Sequence, residues 1–157
     1  MPRTLTLYCS AMPELAGEPG LAISTLEGEE ALSVLYQYKV VAKTPANPAI
    51  PWQVAANLDL KKFIGQQMTV VIELDGNGLD IERGSGKGHR EVTGLVERAR
   101  FIGRDENQAM YEFIIRPWLN LATLTSDYKN FQQKSVVDII DEVLAKFPFP
   151  IEKRLSA

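Results

Sequence analysis

The stretch Gln67-Met68-Thr69-Val70-Val71-Ile72-Glu73-Leu74 shows the clearest local pattern in this 157-residue chain. Its alternate positions place four apolar side chains on one face: Met68, Val70, Ile72 and Leu74. A period of two residues is typical of a β-strand that buries one face. The stretch therefore predicts a strand, and the sequence on either side of it is judged by the same period.

Similar strands are predicted on both sides of this stretch. They lie at residues 3–9, 21–27, 35–43, 92–102 and 109–116, with an additional one near Tyr128–Phe131. Gly94 interrupts one of them and predicts a β-bulge. Many short strands with turn signals between them favour a barrel or a sandwich, so the predicted fold class is mainly β.

Glycine and proline mark the predicted connections. Residues 44–51 contain three prolines and predict a loop. Residues 75–90 contain five of the eleven glycines and predict a long connection between two strands. Helical turns are predicted at residues 28–33 and at residues 60–64.

The C-terminal region changes from a strand period to a helix period. Ser135 is a good N-cap, Asp138 follows three positions later, and Pro148 ends the helix predicted at residues 136–147. Its apolar residues recur at helical spacing, which predicts an amphipathic helix. We therefore expect a β domain over residues 1–132 and a helix with a tail over residues 133–157, where a following region would begin.

Composition excludes several classes of protein. The net charge is −3, and no concentrated basic face indicates nucleic-acid binding. Cys9 is the only cysteine and His89 the only histidine, so neither an internal disulfide nor a multi-histidine metal site is possible within one chain. The first residues lack the apolar core of a signal peptide, and no apolar run has the length of a membrane helix.

Candidate chemistry is weak throughout the chain. The segment Gly84-Ser85-Gly86-Lys87-Gly88 fails the phosphate-loop pattern, because Ile81 and Gly88 occupy positions that need Gly and Ser or Thr. His89 could act as a general base, but no nucleophile is indicated near it. We expect no catalytic residue, no cofactor and no metal. A small hydrolase built on His89 is the enzymatic alternative, and loss of activity in His89→Ala would be its signature.

Two stretches resemble a known family. Residues 26–38 contain Gly-Glu-Glu-Ala-Leu-Ser leading into an aromatic-rich strand. Residues 116–144 contain Arg-Pro-Trp-Leu, then Phe-Gln, then the amphipathic helix, in the same order and spacing as in the family. Phe63-Ile64-Gly65-Gln66 and Gly94-Leu95-Val96 also match. The chain thus resembles the N-terminal region of VgrG, the type VI secretion spike protein, which is related to contractile phage tail hub proteins.

This resemblance implies a fold and a role. The fold would be a small, phage tail hub-like β-barrel. The full-length protein would be a homotrimer that docks on the hexameric Hcp tube and meets baseplate and effector proteins. It would bind no nucleic acid and have no stable membrane insertion by this segment. It would be cytoplasmic before assembly and exported without a signal peptide. The hub of a phage or phage-derived tail is an alternative.

The same resemblance singles out five residues as a structural motif: Pro117, Trp118, Leu119, Phe131 and Gln132. We expect Pro117 to end a strand, and Trp118 and Phe131 to pin the connection and the following helix onto the barrel. As for a buried aromatic residue, truncation of Trp118 to alanine should destabilise the protein by about 3–5 kcal/mol, and a change below about 1 kcal/mol would contradict the anchor role.

Overall fold

The computed structural model describes residues 4–74 and 88–153. Its main feature is a six-stranded antiparallel sheet in the order β1-β6-β7-β8-β5-β4. The sheet curls like a half-barrel, and its two edge strands also approach each other. The predicted fold class, mainly β and barrel-like, is confirmed.

The strands of this sheet are β1 (Leu5–Cys9), β4 (Ala22–Ala31), β5 (Val34–Lys43), β6 (Gln67–Leu74), β7 (Gly88–Asp105) and β8 (Gln108–Arg116). A separate two-stranded sheet contains β2 (Glu14–Leu15) and β3 (Glu18–Pro19). The helices are α1 (Trp52–Ala55), a 3-10 turn (Leu60–Lys62), α2 (Asn120–Thr123) and α3 (Val136–Leu144). None of the helices in the described ranges is long and apolar enough to cross a membrane.

The chain divides into two compact units, Met1–Pro117 and Trp118–Ala157, which we describe separately. The first contains the curled sheet with α1 and the 3-10 turn, and the second contains α2 and α3. The sequence-based boundary between residues 132 and 133 stays a prediction.

The core of the first unit lies on the concave side of the sheet. The predicted alternation places Met68 and Val70 of β6 in it, both fully buried. Tyr111 also lies there, and its hydroxyl donates to the Ala55 carbonyl at 2.5 Å and accepts from the Leu58 amide at 3.3 Å. One side chain thus fills the core and holds α1 and the segment after it against β8.

Three details of the predicted secondary structure are wrong. Residues 28–33 form the end of β4 and a tight turn rather than a helical turn, because pairing with β5 outweighs the helix propensity of Glu-Glu-Ala-Leu. Tyr128–Phe131 contains no strand. The long connection at residues 75–90 ends early, because residues 88–90 pair with β6 as the start of β7; residues 75–87 lie outside the described part.

Gly94 is not a bulge. It pairs in register with Met68, whereas the irregularities of β7 lie further along the strand, between Val96 and Arg98 and between Phe101 and Gly103. A Cβ atom at Gly94 would lie 2.7 Å from the Arg116 carbonyl oxygen. The glycine is needed because the backbone of the neighbouring strand comes this close.

We predict that Gly94→Ala lowers the free energy of unfolding by about 1–3 kcal/mol, because the methyl group meets backbone that cannot rotate away. Gly88→Ala in the same strand is the matched control, since a Cβ there meets no atom within 4 Å. Its effect should stay within about 0.5 kcal/mol. Urea unfolding followed by circular dichroism measures both, and equal stabilities would contradict the prediction.

Candidate assembly surfaces

The hairpin of β4 and β5 extends beyond the neighbouring strand β8. Pairing of β5 with β8 begins at Tyr38, so in the described part of the chain residues 34–37 pair with β4 only. Ser33 closes the turn with a φ of 63°. At the tip, Leu32 is 97% exposed and Val34 is 66% exposed. Because a two-stranded extension is only marginally stable by itself, it needs support from the rest of the sheet.

Two tyrosines of β5 provide that support. The Tyr38 hydroxyl donates to the Glu30 carboxylate at 2.6 Å, and the Arg90 guanidinium lies 2.7 Å from the same carboxylate. Arg90 also donates to the Tyr38 hydroxyl at 3.3 Å. The Tyr36 hydroxyl donates to the Thr93 carbonyl at 2.5 Å. These bonds tie the hairpin to the first residues of β7, and we call the Glu30, Tyr38 and Arg90 side chains the clasp.

Gly28 makes room for the clasp. It lies directly opposite Tyr38 on the hairpin, and a Cβ at this position would come within 2.2 Å of the tyrosine ring. The ring therefore lies over the glycine, as aromatic residues do when they cover a glycine in an edge strand. The Gly-Glu-Glu stretch noted in the sequence thus has a structural basis: Gly28 accepts the ring and Glu30 accepts its hydroxyl.

The clasp shifts the pKa values of its members. The hydrogen bond from Tyr38, followed by that from Arg90, lowers the pKa of Glu30. Burial of the Tyr38 phenol, followed by its bond to Glu30, raises the pKa of Tyr38. Both directions keep the clasp in its hydrogen-bonded form, carboxylate and neutral phenol, at neutral pH.

The convex face of the same sheet carries charge pairs between strands. Arg100 of β7 makes two bonds to the Glu112 carboxylate, at 2.7 and 3.0 Å, and these bonds lower the pKa of Glu112. Lys39 pairs with Glu27 at 2.5 Å. Such cross-strand pairs favour one register of the sheet.

A shallow concavity of about 690 Å³ lies at the base of the hairpin. Its lining combines charged side chains with the apolar Val34 and Leu35, and also includes Glu27, Glu29, Gln37, Lys39 and Arg116.

The predicted motif residues lie at and after the end of β8. Pro117 directly follows the last residue of the strand, as expected. Trp118 opens the second unit, and its ring stacks on Phe149 with centroids 5.1 Å apart and planes inclined by 16°. Phe147 lies 6.1 Å from the same ring. Trp118 is partly buried, and its role as an anchor stays a prediction.

The other motif residues do not gather around Trp118. Leu119 is the N-cap of α2 and is 37% exposed. Phe131 lies beside two lysines, with the ammonium of Lys129 5.6 Å and that of Lys134 6.0 Å from its ring centroid. Gln132 is exposed. The role of these residues as anchors stays a prediction.

Helix α3 begins with the predicted cap. Ser135 and Asp138 form a reciprocal capping box, in which the Asp138 amide donates to the Ser135 hydroxyl and the Ser135 amide donates to the Asp138 carboxylate. Glu142 pairs with both Lys129 and Lys134, which lowers its pKa to about 2. Helix α3 is thus tied to the segment that precedes it. It ends at Leu144, three residues before the predicted end.

The apolar face of α3 is only partly covered. Val136 is 72%, Ile140 46% and Val143 36% exposed, at the spacing i, i+4 and i+7. A groove of about 260 Å³ lies beside this face, with Phe131 and Phe147 in its lining. The second unit therefore presents several neighbouring apolar side chains to solvent, in contrast to the single exposed apolar residues that are common on protein surfaces.

Of the segments singled out in the sequence for their chemistry, residues 84–87 lie outside the described part of the chain. His89 lies on the exposed start of β7, with Nε2 3.4 Å from a Glu91 carboxylate oxygen. Burial raises the pKa of the Cys9 thiol, so a reactive thiolate is disfavoured. In residues 4–74 and 88–153, no three His, Cys, Asp or Glu side chains gather where they could hold a metal.

Sequence reasoning did not identify the clasp. The partners Glu30 and Arg90 are far apart in sequence, and the local patterns predict a turn around Glu30 and a loop that reaches Arg90. One signal in the sequence is the pair Gly28 and Tyr38, ten residues apart. A hairpin with its turn midway between them places the two residues directly opposite each other. That signal is usable only once the hairpin is recognised.

Comparison with known proteins gives a consistent result. The family model for the phage tail baseplate hub (GPD) matches residues 29–157. The chain is 31% identical over 133 residues to the type VI secretion system spike protein VgrG1c of Pseudomonas aeruginosa. This alignment covers 85% of this chain and 16% of that protein. It is 28% identical over 149 residues to the spike protein VgrG1a of the same organism, covering 94% of this chain and 19% of that protein.

The fold also has a solved counterpart. The E. coli c3393 protein is a component of the type VI secretion system with structural similarity to the T4 bacteriophage tail proteins gp27 and gp5. It matches 91% of this chain and 32% of its own length, with a TM-score of 0.61 and 15% identity. At this identity the match supports the fold. The chain spans less than a fifth of the length of the curated relatives it matches.

We predict that Trp118→Ala lowers the free energy of unfolding by about 1–3 kcal/mol, less than for a fully buried aromatic residue. The stacked contact with Phe149 and the tilted contact with Phe147 are lost, but part of the ring already faces water. Tyr128→Ala is the control, since this aromatic side chain of the same unit is 102% exposed. Denaturant melts compare the two, and a loss below 1 kcal/mol for Trp118→Ala would exclude a structural role.

We also predict an acid-sensitive contribution from Glu142. Its folded pKa of about 2 lies below the ordinary value of 4.5, so its stabilising effect is present above about 4.5 and is lost as the pH falls toward 2. The difference in melting temperature between the wild-type chain and Glu142→Gln should therefore shrink between pH 5 and pH 2.5. A difference that stays constant over this range would contradict the ion pairs with Lys129 and Lys134.

Proposed function

The chain belongs to the phage tail baseplate hub (GPD) family, and from this premise we propose that it is the hub segment of a type VI secretion spike. In the full-length protein the segment forms part of a homotrimer and docks on the hexameric Hcp tube during contractile protein injection. The observation that carries this proposal is the similarity to VgrG1c and VgrG1a, which spans 85% and 94% of the chain.

Its role is structural. The relatives are named as spike proteins, and the described residues offer contact surfaces in place of an organised acid–base or metal site. We propose that the segment catalyses no reaction. It leaves the cell through the secretion apparatus itself, as part of the spike, with baseplate and effector proteins as further partners.

A second candidate is the hub of a phage or phage-derived contractile tail. The matching family model describes a phage tail baseplate hub, and the c3393 protein is structurally similar to tail proteins of T4. The same fold and the same kind of surface would serve in either machine. The two candidates differ in the tube protein that the segment contacts.

The test is a segment exchange in VgrG1c. The region matched by this chain is replaced with this chain, and the chimera is expressed in Pseudomonas aeruginosa in place of VgrG1c. We expect trimers by analytical ultracentrifugation and Hcp in the culture medium. The control is VgrG1c lacking the region. Expressed under the same conditions, it should release no Hcp.

A chimera that folds but remains monomeric would contradict the proposed spike role. A chimera that forms trimers but releases no Hcp would separate assembly from docking, and would favour the tube of a phage-derived tail as the natural partner. The corresponding phage-type tube protein would then be expected to bind the purified chain.

A further inference from the structure

We propose that the β4–β5 hairpin is a docking arm whose apolar tip enters an apolar cleft, bordered by lysine or arginine side chains, on a partner protein. The proposal rests on the proposed function, which makes the ring of the tube the partner that carries this cleft. Three features of the hairpin support it: the exposed tip, the clasp and the charge of the segment.

The first feature is the composition of the tip. Turn positions usually carry polar residues or glycine, because they lie in solvent. Here Leu32 is 97% exposed and Val34 66% exposed. Leu35 and Val34 continue the apolar surface into the concavity at the base of the hairpin. Folding of this chain leaves these apolar side chains in water. Burying them in a partner would therefore contribute favourable free energy to binding.

The second feature is that the arm is held in place before any partner binds. The clasp joins Glu30, Tyr38 and Arg90, and a separate bond joins Tyr36 to Thr93. A segment that is already ordered loses less conformational entropy on binding than a free loop does. The clasp therefore favours an arm that docks without rearrangement.

The third feature identifies the chemistry of the partner. Three carboxylates lie near the tip, those of Glu27, Glu29 and Glu30. Glu27 and Glu30 are paired with Lys39 and Arg90, whereas no ion pair within the described residues offsets the charge of Glu29. A protein cleft with a cationic border would complement both the apolar tip and the Glu29 carboxylate, whereas nucleic-acid phosphates and anionic lipid headgroups would repel that carboxylate.

The experiment measures binding of the 157-residue chain to immobilised Hcp hexamers encoded in the same genome, by biolayer interferometry. We expect Leu32→Ser to raise the dissociation constant about tenfold or more, as for a central apolar contact. Its fold should be unchanged, because the side chain makes few internal contacts at 97% exposure. Leu124→Ser is the matched control, a leucine that is 73% exposed in the second unit, and should bind like the wild type.

Two further variants separate the parts of the proposal. Tyr38→Phe keeps the ring over Gly28 but removes the clasp hydroxyl, so binding should weaken about threefold with the tip intact. Glu29→Lys reverses one charge of the arm and should weaken binding most at low salt, where screening is least.

Each outcome decides between the proposals. If the wild-type chain binds and Leu32→Ser binds equally well, the docking arm is wrong while docking on the tube stands. If the wild-type chain does not bind Hcp, docking by this segment fails, and the arm fails with it. If Leu32→Ser instead abolishes self-association of the chain in sedimentation experiments, the arm contacts a second copy, and the tube is excluded as its partner.

Discussion

The structure depends on the pairing of β7 with β6 on one side and β8 on the other. This eighteen-residue strand connects the two halves of the curled sheet, and its close approach to Arg116 requires a glycine at position 94. A strand that is paired on both sides fixes its neighbours in register, because a one-residue slip would turn buried side chains toward solvent. The core of Met68, Val96 and Phe113 is a consequence of this register.

The interior of the sheet explains why the first unit is ordered with only short helices. Phe63 and Phe113 pack with ring centroids 5.1 Å apart, and Tyr111 places its hydroxyl between the Ala55 carbonyl and the Leu58 amide. The aromatic residues therefore satisfy polar backbone groups as well as filling volume.

The surfaces available for assembly differ in kind between the two units. In the first unit, the β4–β5 hairpin is held by side-chain hydrogen bonds and exposes a small apolar tip. In the second unit, helix α3 is fixed by its capping box and by the ion pairs of Glu142, but its apolar face remains partly uncovered. Both arrangements are expected of a segment that works as a component of a larger assembly, which agrees with its family.

The sequence by itself determined the class of the fold, most strand positions and the cap of α3, because side-chain period and capping depend on residues close together in the chain. It also indicated the family, through local stretches such as Arg116–Leu119. Only the tertiary structure decided that residues 28–31 form a strand, that Gly94 is a point of close approach, and that Trp118 is partly exposed. It also brought Glu30, Tyr38 and Arg90 together. These features depend on residues that are distant in sequence, and their contacts arise only when the strands pair.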